Sequence, residues 1–108
     1  MERKSKFKKL TKFLFSMNDK ITEEKIRKYR SITKEALEIA KKKISKDKEK
    51  AAEEIINMVS NYLSDSEYFE KNGDYVNVFA AINYAHGWLD CGARLKIFNV
   101  KDNKLFTI

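Results

Sequence analysis

No proline occurs anywhere in the 108 residues, and glycine appears only three times, at Gly73, Gly87 and Gly92. These two residues are the strongest local interrupters of helices, so little stops helical runs from extending over most of the chain. A chain of this length builds one domain around one hydrophobic core. Apolar residues make up 43% and aromatics 12%, enough oily surface to offset the entropy of ordering a compact fold.

Apolar spacing divides the chain into three helical segments. Thr22 is placed to cap the first, with Glu23 and Glu24 in the first turn where the helix dipole favours acid. Ile26, Tyr29, Thr33, Ala36, Leu37, Ala40 and Ile44 share one face, and Ile32 and Ile39 widen it. A polar stretch from Ser45 to Lys50 follows, and the turn is expected at residues 45–48 with Asp47 capping the next helix. There the core face reads Ala52, Ile55, Val59, Tyr62, Ser66 and Phe69. Asn72-Gly73-Asp74 supplies a left-handed stop followed by a cap, and the third helix is expected from Tyr75 to Phe98. Long helices joined by short turns predict an all-α, antiparallel up-down-up three-helix bundle over residues 22–108. A short extended tail, Leu105 to Ile108, is expected to dock on it.

The third helix has an unusual wheel. Val78, Ile82, Ala85, Leu89 and Ala93 form one side, and the apolar region continues through Ala81, Gly92, Trp88, Leu95, Tyr84, Cys91 and Ala80. A bundle helix needs an apolar arc of roughly 100°; this one is over twice as wide, so the helix is expected to pack on two sides. The second cover is either the N-terminal arm or the same helix of another copy, which makes homodimerisation an expectation. An interior helical glycine costs on the order of 1 kcal/mol; close helix–helix approach is one physical reason to accept that cost at Gly87 and Gly92, and a backbone surface left open for a ligand is the alternative. Tyr75, Tyr84 and Trp88 are expected as core aromatics.

Charge is unevenly distributed within the net +7. Residues 1–12 hold six Lys/Arg against Glu2, residues 13–50 hold twelve against seven acids, and residues 51–108 hold five against eight. Residues 1–21 read as a basic arm with amphipathic spacing, Phe7, Leu10, Leu14 and Met17 being flanked by lysines. Lys4, Lys6, Lys8, Lys9 and Lys12 there, with the basic face of the first helix, are the candidate nucleic-acid contacts. A lysine-rich solvated surface is the simpler reading of the same residues. The apolar run Phe13-Leu14-Phe15 is too short for a signal-peptide core, and no stretch approaches the roughly 18 apolar residues of a membrane span. With Cys91 the single cysteine, a cytoplasmic location is expected.

Candidate chemistry concentrates on a narrow polar ridge of the third helix: Asn83, His86, Asp90 and Arg94. Asp90 can pair with Arg94 and with His86, each four positions away. His86 is the only histidine, so no histidine-rich metal site is available. Cys91 lies on another side of the wheel from His86, poor geometry for a nucleophile and its base. No glycine-rich phosphate loop or nucleophile elbow is present. No catalytic residue, metal or cofactor is therefore assigned, and His86 is expected to satisfy a buried polar contact.

The segment Gly73-Asp74-Tyr75-Val76-Asn77 through Asn83-Tyr84-Ala85-His86-Gly87-Trp88-Leu89-Asp90-Cys91-Gly92, followed by Arg94-Leu95, resembles the archaeal domain of unknown function 357 family, short uncharacterised helical proteins. Asn83 to Asp90 is the most specific part, and Leu105-Phe106-Thr107-Ile108 is similar to the family's usual ending. The resemblance covers roughly residues 23–108. It implies an antiparallel helical bundle and an archaeal source, and it implies no activity. A helical-hairpin ribonuclease of the HEPN type needs an arginine shortly before its histidine; Phe79-Ala80-Ala81 stands there, so that reading fails. The expectation is a non-catalytic interaction module that uses the third helix to bind a protein partner or itself. The alternative is a nucleic-acid-binding accessory protein.

Overall fold

The computed structural model describes residues 19–108. Three helices among them, α1 (Glu23–Lys41), α2 (Glu49–Lys71) and α3 (Tyr75–Arg94), form an up-down-up bundle. The expected basic arm of residues 1–21 lies almost wholly outside the described residues. α3 is the central element: it packs extensively on α2 and less on α1, while α1 and α2 scarcely meet.

The helix boundaries follow from capping chemistry. Thr22 accepts the Lys25 N–H at 3.1 Å and so satisfies one of the donors left open at the start of α1. Asp74 does the same at α3, accepting the Asn77 N–H at 3.3 Å. α2 ends in a Schellman turn with Gly73 at φ +70°: the Gly73 and Asp74 N–H groups donate to Glu70 O and Phe69 O.

Asp47 does not cap α2. It takes a left-handed conformation, φ 67°, inside the turn closed by Lys48 N–H to Ser45 O, and Lys48 occupies the cap position with no side-chain hydrogen bond. The third helix also stops earlier than its apolar spacing suggests, at Arg94 rather than Phe98. Lys96 turns left-handed, φ 62°, and the Lys96 and Ile97 N–H groups donate to Ala93 O and Gly92 O in a second Schellman turn. The physical reason lies in Phe98, which is fully buried against α3 instead of continuing it.

Phe98 reaches that position because residue 92 has no side chain. A Cβ on Gly92 would lie 2.5 Å from Phe98 Cε2 and 3.1 Å from Ile55 Cδ1. Gly87 differs: nothing lies within 4 Å of where its Cβ would be. The close-approach explanation therefore holds for Gly92 and not for Gly87. Phe98 also forms an isolated antiparallel bridge with Ile44, reinforced by Ser45 N–H to Ile97 O at 2.9 Å and Asn99 N–H to Lys43 O at 2.6 Å. The tail beyond it forms no strand; it turns at Asp102, whose carboxylate accepts the Lys104 N–H at 2.7 Å, and inserts Phe106 into the core.

The core itself contains Ile26, Ala36, Leu37, Ala40, Ala52, Ile55, Val59, Val78, Ile82, Ala85, Leu89 and Ala93, as the apolar spacing requires. Leu63 joins it, whereas Tyr62 and Phe69 are only half-buried and Ile44 is at the surface. Buried Ser66 donates to Leu63 O at 2.6 Å and accepts from Arg30, whose guanidinium also reaches Glu70 at 2.7 Å. Near the same end Tyr75 Oη donates to Glu23 Oε2 at 2.8 Å. That hydrogen bond, with slight desolvation and the negative charges of Glu23 and Glu70, raises the phenol's pKa above its usual 10.0.

The two helical glycines give opposite expectations. Gly92→Ala forces Phe98 from its seat and is expected to destabilise the bundle by about 1–3 kcal/mol, exceeding the helix-propensity gain of about 1 kcal/mol. Gly87→Ala meets open space and is expected to stabilise by about 0.5–1 kcal/mol. Thermal unfolding of the two variants against the parent chain distinguishes the signs.

Candidate functional site

The polar ridge of α3 faces the groove between α1 and α3, and the groove is concave. A cleft of about 370 Å³ opens there. α3 contributes Asn83, His86, Gly87 and Asp90 to its walls, α1 contributes Tyr29, Ile32 and Thr33, and Lys104 enters from the tail. Arg94, an exposed residue one turn beyond Asp90, does not line it.

His86 occupies the junction of all three walls. Its Nε2 lies 2.7 Å from Leu105 O, and a carbonyl can only accept, so Nε2 carries the proton in the neutral ring. Nδ1, 3.0 Å from Thr33 Oγ1, is then the acceptor for the threonine hydroxyl. Both nitrogens of the ring are thereby engaged within the fold. Asp90 supplies the second anchor: its Oδ1 accepts the Thr107 N–H at 2.8 Å and stands 3.7 Å from His86 Nε2. No ion pair joins Asp90 to Arg94 among the described residues, because the carboxylate is turned toward the tail instead.

The ridge therefore fastens the tail to the middle of the bundle. Phe106 fills the core between two polar ties, Leu105 O to His86 and Thr107 N–H to Asp90. This arrangement holds backbone, and the ring has no free lone pair with which to take a proton from a substrate or ligate a metal. Among the described residues no group of His, Cys, Asp or Glu is arranged to hold a metal ion.

A family model described as "Protein of unknown function (DUF357)" matches residues 28–98. The chain belongs to this family. The DUF357 match includes every helical residue of the cleft, from Tyr29 to Asp90, and stops before the tail that closes it. No curated protein and no solved structure matches the chain.

Asn83, His86 and Asp90 thus come together as their spacing on one helix implies, whereas Arg94 stands apart. Thr33 and Lys104 complete the site without having been singled out in the sequence for it. Thr33 left one clue, a hydroxyl on an otherwise apolar face, which a buried position obliges to find a partner. Lys104 gave none, since its position depends on the path of the tail. Lys4, Lys6, Lys8, Lys9 and Lys12 lie outside the described residues. No described helix is long and apolar enough to cross a membrane.

A second surface is set by the wide apolar arc of α3. Part of the arc is used internally, because α3 touches both other helices. What remains is a stripe along the outer side: Val76, Ala80, Tyr84, Trp88, Cys91 and Leu95, at helical spacings of four, four, four, three and four. Val76 and Leu95 are 69% and 62% exposed, and Cys91 is exposed as a free thiol. Tyr84 is a surface residue rather than a core aromatic, 54% exposed and ringed edge-to-face by Tyr62 at 4.7 Å and Trp88 at 6.4 Å. Tyr75 likewise sits at the edge, with its hydroxyl on Glu23.

Replacing Asp90 by alanine removes the acceptor for Thr107 N–H, and His86→Leu leaves Thr33 and Leu105 O without their ring partner. Each change is expected to cost about 1–3 kcal/mol of stability. Hydrogen exchange at the Thr107 amide is expected to accelerate in Asp90→Ala well before the amides of α2 respond. Equal protection of Thr107 in parent and variant would show that the tail is held by other means.

Proposed function

We propose that this protein is a non-catalytic helical interaction module that pairs with a second copy of itself through the outer stripe of α3. The reading rests on one observation: six successive stripe positions, from Val76 to Leu95, carry no charged side chain, yet Val76, Tyr84 and Leu95 among them stand more than half exposed. A charge-free stripe is self-complementary. A two-fold axis across it sets the stripe against its own copy without burying an unpaired charge, which is the costly element in most alternative pairings. Small residues at 80 and 91 let the two backbones approach, and the exposed Tyr84 ring supplies a large anchor of the kind that concentrates binding energy at an interface centre. α3 spans about 30 Å along its axis, so the pairing runs the length of the bundle. The engagement of both His86 nitrogens supports the non-catalytic part of the reading.

Val76→Glu with Leu95→Glu is the decisive variant, because both side chains stand mostly in solvent and neither change opens the core. Light scattering on the parent chain at high concentration is expected to give twice the chain mass, and the double variant the single mass with unchanged helicity. A parent that stays monomeric at high concentration overturns the proposal. A variant that dimerises as the parent does moves the interface elsewhere.

A further inference from the structure

The fold redistributes charge in a way the linear order conceals. The basic first half and mildly acidic second half of the chain do not become a basic and an acidic side. They concentrate unbalanced positive charge at one end. The turn between α1 and α2 and the segment leaving α3 are tied together by Ser45 N–H to Ile97 O and Asn99 N–H to Lys43 O. That ladder joins residues 41–50, with six lysines against Asp47 and Glu49, to residues 94–101, with Arg94, Lys96 and Lys101 and no acid. The far end of the bundle mixes signs, with Glu23, Glu24, Glu67, Glu70 and Asp74 beside Lys25, Lys28 and Lys71.

Three features distinguish the basic end from an ordinary solvated lysine surface. Away from this end two cations are paired between helices, Arg30 with Glu70 and Lys34 with Glu67; at this end Lys41 alone makes an ion pair among the described residues, to Glu38 on its own helix. Helix C-termini account for Lys41, Arg94 and their neighbours, since cations are favourable there. They do not account for Lys46 and Lys101, which sit on non-helical backbone fixed by the ladder and by the Ser45–Lys48 turn. Finally, the N-terminus of α2 opens on the same end with no side-chain cap, because Asp47 is turned into its left-handed conformation. First-turn N–H groups without a side-chain cap, with Lys46, Lys48 and Lys50 around them and Glu49 the one acid of that turn, favour a bound phosphate.

We propose that this basic end, centred on Lys43, Lys46, Lys48, Lys96 and Lys101, binds the phosphate backbone of double-helical nucleic acid without regard to sequence. The chemistry of the end selects the duplex. Its lysines are point charges suited to phosphate rather than to bidentate base contacts. Single strands are held by exposed aromatic platforms, and the aromatic at this end, Phe98, is buried. A lipid surface is bound by an amphipathic helix lying in its plane, but all three helices meet this end tip-first.

The test measures fluorescence anisotropy of labelled duplexes of about 20 base pairs, DNA and RNA, with the full chain between about 50 and 200 mM salt. The variant Lys43→Gln, Lys46→Gln, Lys101→Gln is expected to weaken duplex binding at least about ten-fold at low salt and to flatten the log–log salt slope by about 3. The matching Lys→Arg variant is expected to bind as the parent does, which separates lost charge from lost fold. Neutralising Lys4, Lys6, Lys8, Lys9 and Lys12 together is expected to leave the effect of the Gln variant intact. The proposal fails if the parent binds no duplex at low salt. It fails equally if the Gln variant binds as tightly as the parent, if single strands of the same sequence bind more tightly than duplex, or if vesicles of anionic lipid bind and duplexes do not.

Discussion

Phe98 occupies space that a side chain on residue 92 would fill, and much of the architecture beyond the helices depends on that exchange. A buried phenyl ring contributes roughly 1.5–3 kcal/mol, and it holds the chain just past α3 flat against the bundle. From that seat the backbone of Ile97 and Asn99 reaches the α1–α2 turn, and the tail is aimed into the α1–α3 groove. The cleft, the fastening of the tail by His86 and Asp90, and the gathering of lysines at one end are all downstream of it. The cost is a glycine inside a helix and a lysine in a left-handed conformation at its end.

The same economy operates at the polar ridge. Histidine four residues before aspartate on a helix facing a cleft has the spacing of an acid–base couple, yet these side chains are spent on backbone. Each polar tie flanks the burial of Phe106, so a short segment with no secondary structure of its own is held by one apolar insertion and two hydrogen bonds. Gly87 beside them is open to the cleft rather than packed, which leaves the groove accessible above a ridge already committed to structure.

The helices were legible because their signals are local. Thr22 and Asp74 announce their caps, Asn72-Gly73 its stop, and the three- and four-residue spacing of Ile26, Ile55, Val59, Val78 and Ile82 its core. Legibility ended where tertiary contact overrode spacing. Nothing local marks Lys96 as a left-handed residue; the conformation is forced by the Phe98 seat on an element one turn back. Asp47 reads as a cap by residue type and loses that role to a turn whose geometry answers to the Ile44–Phe98 bridge. The ridge was visible as three residues on one helix, but its partners Thr33 and Leu105 lie on elements that only folding brings near. The apolar excess of α3 was visible too, and the structure divided it between a central position in the bundle and an outer stripe.

The tail's attachment also orders events in time. α2 and α3 form a hairpin of adjacent sequence with a tight turn, the kind of contact that closes early because little chain must be gathered. α1 has almost no purchase on α2, and its groove on α3 is completed by residues 98–107. During vectorial synthesis α1 therefore emerges before α2 and α3 and waits longer than either. Its lasting placement follows only after the segment that closes the groove has left the ribosome, so the first made of the three described helices is among the last to be secured.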